Sequence, residues 1–178
     1  MAVSRIKIKD DRKEWDKLER RVKRMQTKHV VSGITHDSGE NPDPFGPTVA
    51  EYATINELGL GVTARPFMAH YFDGKQAQIT RFANNAARQV VFGNASLDQA
   101  LSAIGLYVQK GIQESISTAY QWAAPNAPAT IEMKTKKAHW NAASPIGPMM
   151  PKPLIDHGIM LNSVTFDIRM GMLTATKS

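Results

Sequence analysis

The chain has 178 residues, of which 42 % are apolar and none is cysteine. That length suits one domain with an ordinary core, and the missing thiols exclude disulfides, thiolate nucleophiles and thiolate zinc sites. The formal charge is +6, and the stretch from Arg5 to Lys28, with eleven basic and five acidic residues, carries that whole excess. A basic end on a near-neutral body points to a local electrostatic contact.

Apolar stretches are short and interrupted, so no membrane span is expected. The basic start is not followed by an apolar run with a cleavage site, which argues against a secretory signal and for assembly in a cytoplasm.

Trp15, Leu18, Val22 and Met25 fall at helical spacing and predict a helix over residues 11–26, capped by Asp10 or Asp11. Its apolar stripe is narrow, which suits docking on a sheet or a neighbouring subunit better than burial in a core. Residues 1–28 thus read as a basic N-terminal helical segment and 29–178 as a single α+β domain. His29 to Ile34 predicts a strand. Residues 35–47 are rich in turn formers and predict an exposed loop. Thr48 and Glu51 have capping-box spacing at the start of a helix that Gly59 stops, with Val49, Tyr52, Ala53 and Asn56 on one face.

Leu60 to Gly74 reads as irregular, followed by a helix from Lys75 to Phe92 with Ile79, Phe82, Ala83, Ala86 and Val90 inward and Gly93-Asn94 as the stop. Ser96 and Gln99 form a second capping box. They open what reads as the longest helix, Leu97 to about Ala123, with the stripe Leu97, Leu101, Ile104, Val108, Ile112, Ile116 and Ala119. Gly105 and Gly111 on it invite the approach of another backbone. A short helix is expected at 129–137 and a second long loop at 138–152. Asp156 is a candidate cap for a single turn through Leu161. Val164, Phe166, Ile168 and Met170 alternate with polar residues and mark the clearest strand. The expected architecture is α+β: a small antiparallel sheet packed against two long helices, with an N-terminal amphipathic helix and two long loops.

Chemistry is sparse. His29, His36, His70, His139 and His157 show no i+3 or i+4 pairing, so no local zinc signature exists. His36-Asp37-Ser38 names three triad residue types, but triad members must face each other across a fold, and turn chemistry explains the cluster. Asp156-His157 reads as a helix start. Leu58-Gly59-Leu60-Gly61 lacks the lysine of a phosphate loop and follows a helix where such a loop follows a strand. No catalytic, cofactor or metal residues are assigned. Lys17, Arg20, Arg21 and Arg24 form a possible DNA-contacting face on the first helix. The competing reading is a solvated helix with intrahelical ion pairs.

Two segments resemble tail-completion and neck (head–tail joining) proteins of tailed bacteriophages and prophages. The first is VAEYATINELGLGVTARPFM, with Asn56, Glu57, Leu58, Gly59, Ala64, Arg65, Pro66 and Phe67 matching. The second is PLIDHGIMLNSVTFDI, with Leu154, Ile155, Asp156, Gly158, Leu161, Asn162 and Ser163 matching. His157 departs from the threonine usual in that family, and the insert around Ala138 to Met150 is longer. The resemblance implies a virion protein of the neck or tail, assembled in the host cytoplasm as a homo-oligomer, here expected to be a hexameric ring, with other neck and tail proteins as partners. It implies no enzymatic activity and no cofactor. Interface candidates are Arg65, Pro66, Phe67, Leu154, Ile155, Asp156, Gly158 and Asn162, with Phe67 open to a core role as well. The alternative function is a small nucleic-acid-binding protein that uses the basic helix.

Overall fold

The computed structural model describes residues 12–35, 46–140, 152–155 and 158–171. Their order is α1 (Arg12–Met25), β1 (Lys28–Gly33), α2 (Val49–Leu58), α3 (Phe67–Phe92), α4 (Leu97–Ser117), α5 (Ala119–Trp122), α6 (Pro128–Trp140), α7 (Ile159–Asn162) and β2 (Thr165–Met170). The fold is α+β, with a two-stranded antiparallel sheet packed against long helices.

Local chemistry sets most helix ends. At the start of α2 the Thr48 hydroxyl accepts the Glu51 backbone N–H while the Glu51 carboxylate accepts the Thr48 N–H, so two orphan donors are satisfied together. Ser96 and Gln99 do the same for α4. Gly59 (φ 72°) and Gly93 (φ 78°) end α2 and α3 in the left-handed region, where a Cβ is costly.

α3 and α4 form a helical hairpin across residues 93–96, and α4 carries the sheet on its other flank. Strand β1 pairs with β2 in the register Val30↔Ile168. The Gln109 side-chain amide donates to the Val164 carbonyl at 2.8 Å and fixes β2 to α4. Lys28 reaches Asp98 at the start of α4, 2.6 Å away. The side chains fully enclosed at the centre are Phe67, Ile112, Ile116 and Val164.

Several expectations change. α3 begins at Phe67, not Lys75, which makes it the longest helix at 26 residues. Its start lacks a local cap, since Pro66 has no side-chain donor or acceptor; the cap comes from Glu57, as described below. The helix expected through Ala123 breaks at Thr118, whose hydroxyl turns back to the Glu114 carbonyl at 2.7 Å. Gly105 and Gly111 receive aromatic rings where a backbone was expected. A Cβ at Gly105 would overlap Phe166, and one at Gly111 would overlap Tyr71. α6 runs from Pro128 to Trp140, so the first residues of the loop expected at 138–152 are helical. The turn before β2 starts on Gly158 (φ 74°) with no side-chain cap, so Asp156, itself outside the described residues, is not its N-cap residue. Residues 36–45 and 141–151, the bulk of the two expected loops, also lie outside them.

Tyr71 on α3 is 6 % exposed, and its hydroxyl has no hydrogen-bond partner among the described residues. Burial pushes this hydroxyl above its ordinary pKa, and Tyr107 and Glu114 add to the shift. With the folded value raised, stability is intact below the ordinary tyrosine value of about 10 and erodes as the pH climbs through it, because only the unfolded chain releases the proton easily. Tyr71→Phe should therefore hold or raise stability at neutral pH and flatten the alkaline loss. Urea titrations of both proteins on either side of that pH check this, and an equal alkaline drop in both would refute it.

The ring-filled notches predict a contrast among glycines. Gly105→Ala and Gly111→Ala should each destabilise the fold by about 1–3 kcal/mol through overpacking, despite alanine's higher helix propensity. Gly74→Ala, on α3 with open space around it, should stabilise by up to about 1 kcal/mol. Denaturation midpoints of the three variants read this directly.

Candidate assembly interface

The first family-like segment builds a tightly bonded corner. Where α2 ends, the Gly59 and Leu60 backbone N–H groups both donate to the Ile55 carbonyl. The chain then turns back, and the Arg65 N–H donates to the Asn56 carbonyl at 2.7 Å. Asn56 is itself buried, its side-chain amide donating to the Tyr52 carbonyl. The Glu57 carboxylate accepts the backbone N–H groups of Met68 and Ala69, at 3.0 and 2.9 Å. A carboxylate on two orphan donors, at the positive end of the helix dipole, is a strong cap. It is supplied from the preceding helix, not from the adjacent residue.

Arg65 closes the corner from the other side. Its guanidinium donates to the carbonyls of Ala124 and Pro125 and ties this turn to the segment after α5. Phe67 is 0 % exposed within the single chain. Of its two expected roles, the core one holds, and Phe67 is not a surface anchor. Its carbonyl accepts the buried Ser115 hydroxyl at 2.8 Å. His70 stacks on Trp122 with ring centroids 4.0 Å apart and places Nδ1 3.2 Å from Ser115 Oγ. The serine proton already goes to the Phe67 carbonyl, so Ser115 acts here as a bridge between α3 and α4 and is not poised as a nucleophile towards the imidazole.

The second segment leads to the same core. Leu154 is 5 % exposed and takes φ 62°, the left-handed region, although it is not glycine. The Lys134 ammonium on α6 donates to the carbonyls of Lys152 and Ile155 and brackets this residue. The Gln113 amide donates to the Leu161 carbonyl. Met160 and Val164 join Leu154 in the cluster that holds Phe67. Of the other interface candidates, Pro66 and Asn162 are exposed, and Ile155 and Gly158 are half-buried.

What remains outward is apolar. Leu58 at the end of α2 and Leu60 and Val62 in the turn after it are 64, 56 and 47 % exposed. Leu60 also lines a shallow depression with Pro47, Thr48, Ala50, Glu51, Thr54 and Ile55. Of these three, only Leu58 is among the family-like positions; Leu60 and Val62 lie in an irregular stretch with no periodicity to single them out.

The basic face is only partly as expected. Lys17, Arg20 and Arg24 are exposed on α1. Lys17 pairs with Glu14 at 2.7 Å, and the Arg20 Nε donates to the Asp16 carbonyl. Arg21 is instead half-buried, directed towards α3, where it donates to the Val91 carbonyl. The Trp15 and Val22 side of the apolar stripe stays exposed.

Among the described residues, no group of three or more acidic or histidine side chains is placed to hold a metal ion. No described helix is long and apolar enough to cross a membrane. No family model, curated protein or solved structure matches the chain.

The left-handed Leu154 makes a specific prediction. Leu154→Ala removes a buried side chain and should cost about 2–5 kcal/mol. Leu154→Gly removes as much packing but relieves backbone strain of about 1–2 kcal/mol. Glycine should therefore be tolerated as well as alanine or better, the reverse of the usual order. Equilibrium unfolding of the two variants decides it.

Proposed function

We propose that this protein is a structural subunit of a tailed-bacteriophage particle that completes the tail or joins it to the head, working as a ring of copies among other neck and tail proteins. The observation that carries this reading is the convergence of the two family-like segments. They lie far apart in the chain, yet Phe67 from one and Leu154, Met160 and Val164 from the other belong to one core cluster.

The physical form of the corner suits that role. Its backbone is pinned by Glu57, Arg65 and Asn56, while Leu58, Leu60 and Val62 point to solvent. A rigid turn with several exposed apolar side chains loses little entropy when a neighbour covers it. The candidates for contact therefore shift from Phe67 to the three aliphatic residues beside it.

A triple variant, Leu58→Ser, Leu60→Ser and Val62→Ser, tests this. The isolated protein should melt as the wild type does, because these side chains contribute little buried area. In an in vitro head–tail joining assay the same variant should fail to produce particles. Normal joining by the folded variant would remove this surface from the interface. Infectious particles formed without the protein would overturn the structural role itself.

A further inference from the structure

We propose that two copies of this protein pair through the free edge of β2, strand against antiparallel strand about a two-fold axis at Ile168, to make one four-stranded sheet. The inference does not rest on the phage reading and concerns a surface other than the apolar turn.

The register fixes which backbone groups are free. The Gly171 N–H donates to the Thr27 carbonyl, so these two residues, next in line after Lys28↔Met170, form a hydrogen-bonded pair. Bonded and non-bonded pairs alternate along an antiparallel ladder. Lys28↔Met170, Val30↔Ile168 and Ser32↔Phe166 are therefore the non-bonded pairs. Phe166, Ile168 and Met170 thus aim their backbone N–H and C=O groups away from β1, along the outer edge of β2. Among the described residues, none forms a hydrogen bond with these groups. Two strands alone seldom make a stable sheet, and an edge with free donors and acceptors is a template for another strand.

The side chains select the occupant. Phe166 fills the Gly105 notch, so the even-numbered side chains of β2 face α4. Asp167 and Arg169 stand on the opposite face, exposed, and pair with each other at 3.2 Å. In a two-fold pairing centred on Ile168, Asp167 lies opposite Arg169 of the second copy, and Arg169 opposite its Asp167. These are non-hydrogen-bonded pairs, in which side chains lie closest. Ile168 meets itself, and Phe166 meets Met170, which is 83 % exposed in the single chain. Sliding the second copy by two residues either way puts Asp167 on Asp167 or Arg169 on Arg169, and like charges directly opposite are unfavourable.

The edge of β1 is a poorer match. Its sequence, KHVVSG, holds no acid, so Arg169 would face no opposite charge there. The Asp-Ile-Arg pattern of β2 complements itself, as an isologous contact requires. Leu106 adds apolar surface to the same side. It is 48 % exposed and, by helical periodicity, shares the flank of α4 on which Gln109 and Gln113 hold the chain running into β2.

The test follows the full chain by sedimentation velocity over a concentration series, with amide hydrogen exchange as the second readout. The wild type should dimerise as concentration rises, and the Phe166, Ile168 and Met170 amides should gain protection with it. Asp167→Arg and Arg169→Asp, each alone, should weaken the dimer on the order of tenfold, because both cross-strand pairs become like-charged. An equimolar mixture of these two variants should dimerise as the wild type does. So should the double variant Asp167→Arg, Arg169→Asp, which keeps the net charge. A wild type that stays monomeric throughout, single variants that associate as the wild type does, or a mixture that stays monomeric would each overturn the proposal. So would a dimer that leaves the three amides unprotected, or one lost in the Leu58→Ser, Leu60→Ser, Val62→Ser background, which would place the contact at the apolar turn.

Discussion

α4 is asked to serve several neighbours at once, and the rest of the fold depends on how it does so. One flank meets α3, another carries both strands, and its last turns meet α5 and α7. A helix can do this only if its surface combines apolar rows with places where a ring can sink close to the axis. Val108, Ile112 and Ile116 supply the rows, while Gly105 and Gly111 supply the notches for Phe166 and Tyr71. Close packing then makes the position of each neighbour depend on the others, because interiors at crystal-like density have no slack to absorb a shift.

Polar groups at this centre are used to join elements. Ser115 ties α4 to the first turn of α3 through the Phe67 carbonyl, and the Trp122 indole donates to the Ser115 carbonyl. Gln113 holds α7 itself at Leu161, and Gln109 holds the chain leaving it at Val164, each by a single amide bond. Tyr71 is the exception, with a buried hydroxyl that finds no partner among the described residues. Its ring fills the Gly111 notch, so shape complementarity there outweighs the desolvation of one hydroxyl.

The turn after α2 is rigid and apolar, suited to a permanent neighbour. α1 is held to the end of α3 through Arg21, and the apolar turn belongs to the other end of that helix.

The sequence by itself determined whatever depends on neighbours a few residues away. The capping boxes at Thr48 and Ser96, the glycine stops at Gly59 and Gly93, the strand alternation from Val164 to Ile168 and the stripe of α4 all follow from local spacing, and the structure has them where that spacing puts them, although Met170, expected on the inward side, is 83 % exposed at the strand's end. Only the tertiary structure decided what depends on distant partners. The start of α3 at Phe67 needs a carboxylate from Glu57 and a guanidinium tie to Ala124, neither of which is a signal within the helix. Leu154 adopts a glycine-like conformation because Lys134 and the core hold it there, where its own preference would take it elsewhere. Arg21 leaves its neighbours' face because the end of α3 offers it a carbonyl. In each case the free energy comes from a contact across the fold, and periodicity along the chain carries no trace of such a contact.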